Sequence, residues 1–205
     1  GAPLIEGYAS TEAGTITVNI PPRPGSVGLP VIEELAIIDD EGNRLGPGRI
    51  GEILVRGTTV FEGYENAPDE TSAVFTGGWF RTGDLGYCDI DGYLFLSGRK
   101  KELINKGGEK IPPAAIDAVL LSHPDVMDAM AFPLEDPVLG EEVGAMVVRR
   151  RQDLTENELR RHLLDRLNPS LLPGRIFFVE SVPRNSTGKV LREQGTRQFS
   201  PRHGR

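Results

Sequence analysis

The stretch GRKKE at residues 98–102 separates two parts of the chain that differ in sequence pattern. It is charged and short of large apolar side chains, as expected of a boundary between domains. We therefore predict one domain over residues 1–98 and a second over residues 99–205. A chain of 205 residues is long enough for two small domains, each with its own hydrophobic core.

Short apolar segments separated by turn sequences precede this boundary. Residues 34–38 and 50–56 are joined by DDEGN at residues 39–43. A second pair of such segments, residues 83–87 and 93–97, surrounds the sequence DIDG. Asp, Asn and Gly favour tight turns between strands. The pattern predicts a small, mostly antiparallel β unit.

Helical and extended patterns alternate after the boundary. Residues 113–121 and 157–167 carry apolar side chains three and four positions apart, which is typical of amphipathic helices. Thr155 and Glu158 form a capping box ahead of the second helix. Strands are predicted at residues 127–132, 143–148 and 175–179, and a last helix after Lys189. The fold class is therefore α+β, with a compact C-terminal α+β domain.

Charge and composition exclude several classes of partner. The formal net charge is −7, from 23 basic and 30 acidic residues, so neither nucleic acid nor an anionic membrane is expected as a partner. The one cysteine, Cys88, excludes an internal disulfide framework and favours a cytoplasmic protein. No apolar run approaches the ~20 residues needed to span a bilayer.

Two short segments carry side chains suited to binding a nucleotide ester. PRNSTGK at residues 183–189 presents Lys189, whose ammonium can neutralise a phosphate or a developing negative charge. TGD at residues 82–84 presents Asp84, whose carboxylate can accept hydrogen bonds from adjacent ribose hydroxyls. A P-loop is excluded because position 183 is Pro and Val190 follows the lysine. Taken singly, each segment would suit an ordinary surface turn.

Four motifs in order resemble the adenylate-forming enzymes, which include acyl-CoA synthetases, adenylation domains of peptide synthetases and luciferases. They are YASTE at residues 8–12, WFRTGD at 79–84, GRKKELINKGGEKI at 98–111 and PRNSTGK at 183–189. The resemblance implies that a small carboxylic acid attacks the α-phosphate of ATP to give acyl-AMP and pyrophosphate. A thiol, usually that of CoA, then displaces AMP. The implied cofactors are ATP, Mg²⁺ and CoA.

The resemblance also implies roles for residues of the first two motifs. Tyr8 is expected to stack on the adenine, with Gly7 close to the base and the acyl pocket. Thr11 is expected to donate its hydroxyl to a phosphate oxygen, and Glu12 to hold Mg²⁺, which prefers oxygen ligands. Asp84 is expected to bind the ribose hydroxyls. Thr11 and Glu12, together with Lys189, form the implied catalytic group.

In the last two motifs, the resemblance implies a mobile lid. Residues 1–98 would be the C-terminal end of the large domain, and residues 99–205 a lid that pivots at Lys101 between the half-reactions. Arg99 would approach the ribose or a phosphate, and Lys189 would bridge the acid and the α-phosphate. Gly107 and Gly108, most simply a hairpin turn, would lie beside the pantetheine arm, where a missing Cβ permits close approach.

The chain also departs from the family pattern. Ala9 stands where Gly is usual, which predicts a narrower acyl pocket and a small acid. The segments around residues 8–13 and 104–111 resemble the oxalate–CoA ligase branch in particular. Because the family's Ser/Thr/Gly-rich phosphate loop has no counterpart, we expect the chain to be the C-terminal part of a synthetase, inactive alone. Two alternatives stay open: an enzyme that loads a carrier-protein phosphopantetheine, and a non-catalytic lid-containing fragment.

Overall fold

The computed structural model of the chain describes residues 5–200. The chain divides into two compact units, Gly1–Lys101 and Glu102–Arg205. Helices and largely antiparallel sheets occur in both units, so the predicted α+β class is confirmed. The assignment of residues 1–98 to a larger domain and of residues 99–205 to a mobile lid stays a prediction.

The first unit begins with a small antiparallel sheet. Its strands are β1 (Gly7–Ser10), β2 (Gly14–Val18) and β3 (Leu29–Pro30), paired in the order β1-β2-β3. The β1–β2 pairing is irregular between Tyr8 and Ala9. Ile16 is fully buried in the core of this unit. The short β1–β2 connection therefore presents Thr11 and Glu12 on a turn above a packed base.

A five-stranded antiparallel sheet forms the rest of the first unit and confirms the predicted β unit. Its strands are β4 (Glu34–Ile38), β5 (Gly51–Arg56), β6 (Phe75–Thr76), β7 (Trp79–Cys88) and β8 (Leu94–Arg99). The order is β4-β5-β7-β6, with β8 also paired to β7. Helix α1 (Pro68–Val74) was not predicted, because none of its residues is buried and the apolar periodicity of a packed helix is missing.

The second unit is a sheet covered by helices on both faces. The elements are β9 (Ile104–Lys106), β10 (Glu109–Ile111), α2 (Pro113–Leu121), β11 (Val126–Asp136), β12 (Gly140–Arg149), α3 (Glu156–Leu164), β13 (Arg175–Phe178) and α4 (Arg192–Phe199). Alternate residues of β11 enter different cores. Ala129 and Ala131 pack with α2 and α3, whereas Met130 and Phe132 pack with Phe199 of α4.

The sequence predicted the elements of this unit well. Helix α2 has the predicted bounds, and α3 ends three residues earlier than predicted. The predicted capping box is present: the Glu158 amide donates to Thr155 Oγ1 at 3.3 Å, and the Thr155 amide donates to Glu158 Oε2 at 2.8 Å. Across the part of the chain that the structure describes, no helix is long and apolar enough to cross a membrane.

Candidate active site

A buried carboxylate, Asp84, organises the polar groups of the first unit. It lies in β7 with only 8% of its surface exposed. Its Oδ2 accepts a hydrogen bond from the Tyr8 hydroxyl at 2.5 Å, and its Oδ1 lies 2.8 Å from Nε of Arg99. Arg99 is opposite Asp84 in the β7–β8 register. Among the described residues each oxygen thus has one partner, and its remaining lone pair can accept a further hydrogen bond.

Tyr8 supports this carboxylate from the core. Its ring packs in the hydrophobic core of the first unit and is 8% exposed. Burial, together with the hydrogen bond to Asp84, raises the pKa of the Tyr8 phenol well above its ordinary value, so the hydroxyl stays a donor at neutral pH. Little of the ring surface is open to a ligand, and the hydroxyl is bonded to Asp84. Stacking of the Tyr8 ring on adenine therefore stays a prediction.

Two glycines, one predicted for the site (Gly7) and one inside the TGD segment (Gly83), are explained by local backbone geometry. Gly83, which precedes Asp84 in β7, has φ of +70°, a value that L-residues with a Cβ rarely adopt. Gly7 lies on β1 where a Cβ would come within 2.9 Å of the Thr17 carbonyl oxygen on β2. Glycine at both positions therefore lets the strands that carry Tyr8 and Asp84 take their observed paths.

Asp84 lies at the wall of a cavity of about 530 Å³ in the first unit. Its lining includes four of the predicted site residues, namely Glu12, Asp84, Arg99 and Lys101. Thr11 is exposed on the turn beside Glu12, outside the lining. The volume falls in the usual range for small-ligand sites, roughly 300–1,000 Å³. A cavity lined by two carboxylates and several cations suits a polar, anionic ligand.

Glu12 is the candidate metal ligand, since its carboxylate is of the kind that Mg²⁺ binds. The Tyr64 hydroxyl donates to Glu12 Oε1 at 3.3 Å. Burial and the neighbouring Glu12 carboxylate raise the pKa of Tyr64, so this phenol is also a donor. Among the described residues, no three His, Cys, Asp or Glu side chains cluster as a metal site. A single carboxylate is enough for Mg²⁺, which is commonly held by one or two carboxylates together with substrate phosphates.

Sequence reasoning did not identify a second buried carboxylate, Glu52, which holds two cations of the cavity lining. Glu52 is 5% exposed, and it pairs with Arg81 and with Lys100, whose Nζ lies 2.9 Å from Oε2. The Lys100 Nζ also lies 3.2 Å from Oδ1 of Asp40. Although burial raises the pKa of Glu52, the hydrogen bonds from Arg81 and Lys100 lower it below its usual range. The carboxylate therefore stays ionised and fixes both cations.

The sequence motifs contained two of these additional residues but did not indicate their partners. Arg81 lies inside the quoted motif WFRTGD and Lys100 inside GRKKE, so their identity was visible but not their shared partner. Glu52 lies on β5, which pairs with β7 only through the fold. Tyr64 lies 52 positions from Glu12, in a loop without a recognisable pattern.

In the second unit, Lys189 closes a tight turn. The amides of Thr187 and Lys189 donate to Asn185 Oδ1 at 3.1 and 2.8 Å, and the Asn185 amide donates to the Lys189 carbonyl at 2.9 Å. The Lys189 side chain is 47% exposed, and its Nζ lies 3.7 Å from Oε1 of Glu102. The predicted turn that presents this lysine is therefore observed, with the backbone fixed and the ammonium open to solvent.

The remaining predicted residues are close in sequence to the boundary between the two units. Lys101 is the middle residue of a 3₁₀ helix, Lys100–Glu102, and within residues 5–200 its side chain has no hydrogen bond or ion pair. Gly107 and Gly108 form the predicted two-residue turn between β9 and β10, with φ of +58° and +93°. Such positive φ values at both positions favour glycine. Both glycines are exposed.

Comparison with known proteins matches both units to one family. The family model described as AMP-binding enzyme matches residues 1–65, and the model described as AMP-binding enzyme C-terminal domain matches residues 115–189. The chain is 46% identical to a probable CoA ligase, CCL9, of Humulus lupulus over 94% of its own length and 38% of that protein. It is 43% identical to the oxalate–CoA ligase of Arabidopsis thaliana, over 97% of the chain and 40% of that ligase.

A solved structure shares the fold as well. The o-succinylbenzoate coenzyme A synthetase of Bacillus subtilis, solved with ATP and magnesium ion, is 35% identical with a TM-score of 0.83, over 93% of this chain and 40% of that one. The chain spans about 40% of the length of the curated relatives it matches. Motifs, fold and family models agree, and the chain belongs to the AMP-binding enzymes.

Proposed function

We propose that the full-length protein is an AMP-forming ligase that joins a small carboxylic acid to CoA through an acyl-adenylate. The observation that carries the proposal is the Tyr8–Asp84–Arg99 arrangement at the wall of a cavity that also contains Glu12. This arrangement supplies acceptors for hydroxyls, a cation for a phosphate and an oxygen ligand for a metal ion in one place. The names of the two curated relatives, both CoA ligases, support it.

In this proposal the first unit binds the nucleotide. Asp84 accepts hydrogen bonds from the ribose hydroxyls with the lone pairs that Tyr8 and Arg99 leave unused. Arg99, with its side chain partly exposed, reaches the ribose or a phosphate oxygen. Glu12 holds Mg²⁺ together with the phosphates, and Thr11 on the adjoining turn donates its hydroxyl to a phosphate oxygen. Gly7 and Tyr8 line the adenine side, and ATP is the nucleotide that supplies the adenylate.

The second unit provides Lys189 for adenylation. An exposed ammonium on a fixed turn can neutralise the acid carboxylate and the α-phosphate as the new bond forms between them. We propose that Lys101 is the pivot about which the second unit moves between half-reactions. The absence of a side-chain partner at Lys101 within residues 5–200 supports this role. Gly107 and Gly108, exposed and without Cβ atoms, would then lie beside the pantetheine arm of CoA.

The proposed acid is small. Ala9 carries a methyl group where the family usually has none, and the similarity to an oxalate–CoA ligase supports a short dicarboxylic acid. We further propose a cytosolic location, since Cys88 is a free thiol whose pKa is raised by burial and by Asp89, as suits an unreactive side chain in a reducing compartment. Cell fractionation tests the location.

The function is tested by assaying the full-length protein for acid-dependent pyrophosphate exchange and for AMP release with and without CoA. Short monocarboxylic, dicarboxylic, aryl and amino acids are compared. AMP release that rises with CoA and yields a thioester supports the ligase and gives its substrate class. Exchange without CoA turnover indicates instead an enzyme that loads a carrier-protein phosphopantetheine. If no acid supports exchange, the non-catalytic alternative is favoured.

A further inference from the structure

We propose that Glu102 is a positioning residue for Lys189: its carboxylate holds the lysine ammonium in the orientation used for adenylation. The inference rests on the proposed function, which gives Lys189 its role in the first half-reaction. It adds a residue that the sequence motifs did not assign. Three observations carry it: the contact with Lys189, the rigid support of Glu102, and the lack of a second partner for the lysine side chain within residues 5–200.

The two oxygens of Glu102 face different cations. Oε2 accepts a hydrogen bond from Nε of Arg192 at 3.1 Å, whereas Oε1 lies 3.7 Å from Nζ of Lys189. The carboxylate is 22% exposed, so the charge pair is partly shielded from solvent. One oxygen therefore fixes the carboxylate in place, and the other is directed to the lysine.

Arg192 gives Glu102 its rigid support. Its side chain is 9% exposed, and it donates to the Ala131 carbonyl and to Asp117 Oδ2, both at 2.7 Å. Asp117 Oδ1 in turn accepts the Ala131 amide at 2.5 Å. These charge-assisted bonds tie α4, α2 and β11 together, so the guanidinium that holds Glu102 has little freedom.

Within residues 5–200, Glu102 is the one side-chain partner of the Lys189 ammonium. The lysine backbone is fixed by Asn185, but its stem is long and flexible and nearly half exposed. A carboxylate at 3.7 Å narrows the positions that the ammonium samples. Because adenylation needs that ammonium at a defined place, a restriction of this kind raises the rate of that half-reaction without adding a contact to substrate.

The experiment compares Glu102→Gln with Asp117→Asn in the full-length protein. Both changes remove a carboxylate charge that bonds Arg192, but only the first removes the partner of Lys189. We expect Glu102→Gln to lower the rate of pyrophosphate exchange about 3–10-fold, as suits the loss of one partly exposed charge pair. Asp117→Asn loosens the support of Arg192 but leaves the Glu102 carboxylate in place, so its loss of exchange should be clearly smaller than that of Glu102→Gln. Thioester formation from supplied acyl-AMP should change less than twofold in either variant.

A double-mutant cycle separates positioning from a general structural effect. In a Lys189→Ala background, Glu102→Gln should cause no further loss, because the residue through which Glu102 acts is gone. The inference is overturned if Glu102→Gln slows the Lys189→Ala protein by the same factor as the wild type. It is overturned equally if Asp117→Asn matches the loss, or if wild-type exchange is unaffected by Glu102→Gln.

Two further measurements keep the outcome unambiguous. Where Glu102→Gln fails to fold, Glu102→Asp replaces it, because it keeps a negative charge near Arg192 while a side chain shorter by one methylene lengthens the 3.7 Å contact with Lys189. The same drop in exchange is then expected, and its absence contradicts the inference. A wild-type protein without acid-dependent exchange contradicts the proposed function, whereas an active wild type with an unaffected Glu102→Gln contradicts only the role of Glu102.

Discussion

Asp84 in the first unit and Lys189 in the second are held in place by opposite means. Asp84 is buried, and two side chains, those of Tyr8 and Arg99, fix its carboxylate. Lys189 is half exposed, and its position depends on a backbone turn whose amides bond the Asn185 side chain. The Asp84 carboxylate is part of the packed interior, whereas the Lys189 side chain lies on the surface.

This difference predicts which substitutions change binding or catalysis without changing the free energy of unfolding. Removing a buried polar group leaves its partners unsatisfied, so it costs folding free energy as well as any binding role. Removing an exposed side chain from a fixed turn changes little except the chemistry of that side chain. Substitutions at Asp84 and its partners in the first unit are therefore expected to lower stability and binding together. Replacing Lys189 on its turn is expected to lower activity and leave stability unchanged.

The largest expected effect is that of Lys189→Ala on the first half-reaction. We expect pyrophosphate exchange in the full-length protein to fall about 100-fold or more, as for other residues that stabilise developing charge. The melting temperature should stay unchanged, and thioester formation from supplied acyl-AMP should be retained. Arg197→Ala is the matched control, since it removes an exposed cation of the same unit that bonds only Glu193 among the described residues. Equal loss in both half-reactions would contradict the assignment.

Asp84→Asn should reduce stability and nucleotide binding together. The amide nitrogen of Asn would face either the Tyr8 hydroxyl or Arg99, so one donor loses its acceptor. We expect the free energy of unfolding to fall by about 1–3 kcal/mol. Nucleotide affinity, measured by calorimetry with AMP, should fall about tenfold or more, as expected when a charged acceptor is lost.

Tyr8→Phe is the conservative companion of that change. It keeps the buried ring and removes only the donor to Asp84, so a loss of about 1 kcal/mol and a smaller fall in affinity are expected. Unchanged stability in both variants would contradict the view that Asp84 is part of the packed structure.

Asn185→Ala tests whether the turn alone positions Lys189. The change removes the acceptor for two backbone amides and leaves the lysine in place. We expect exchange to fall about tenfold, less than for Lys189→Ala, with a loss of unfolding free energy near 1 kcal/mol, typical of one or two exposed hydrogen bonds. Ser186→Ala in the same turn is the control and should match the wild type. An Asn185→Ala protein with wild-type exchange would show that the turn geometry is not needed.

The sequence indicated those features that depend on neighbouring residues. Helix α2 begins at Pro113, a residue favoured in the first turn, and the Gly107–Gly108 turn follows from two residues that tolerate positive φ. The Asn185–Lys189 turn and the capping box at Thr155 are equally local. Patterns of this kind can be recognised because the physical cause lies within a few positions of its effect.

What the sequence did not indicate depends on strand pairing. The Tyr8 hydroxyl meets Asp84 across 76 positions, and Glu52 meets Arg81 across 29. No local pattern predicts that Tyr8 is buried and that its hydroxyl donates to Asp84. Nor does one predict that Glu52 pairs with both Arg81 and Lys100. The resemblance to adenylate-forming enzymes indicated that these segments belong to a site, but their partners became visible only in the fold.

The smallest expected effect is a pH dependence at Glu158, another exposed group whose position is fixed by local bonds. Hydrogen bonds from Thr155, and then from Arg151, lower the pKa of Glu158 to about 2, from an ordinary value of 4.5. Because the folded-state pKa is depressed, the carboxylate stabilises the protein above about pH 4.5, and this stabilisation is lost as the pH falls toward 2. Glu158→Gln should therefore lower the unfolding free energy at pH 6, and the gap to wild type should narrow steadily in denaturant titrations from pH 5 to 3. A gap that is constant over this range would show that the Glu158 charge contributes nothing and that its local bonds act through geometry alone.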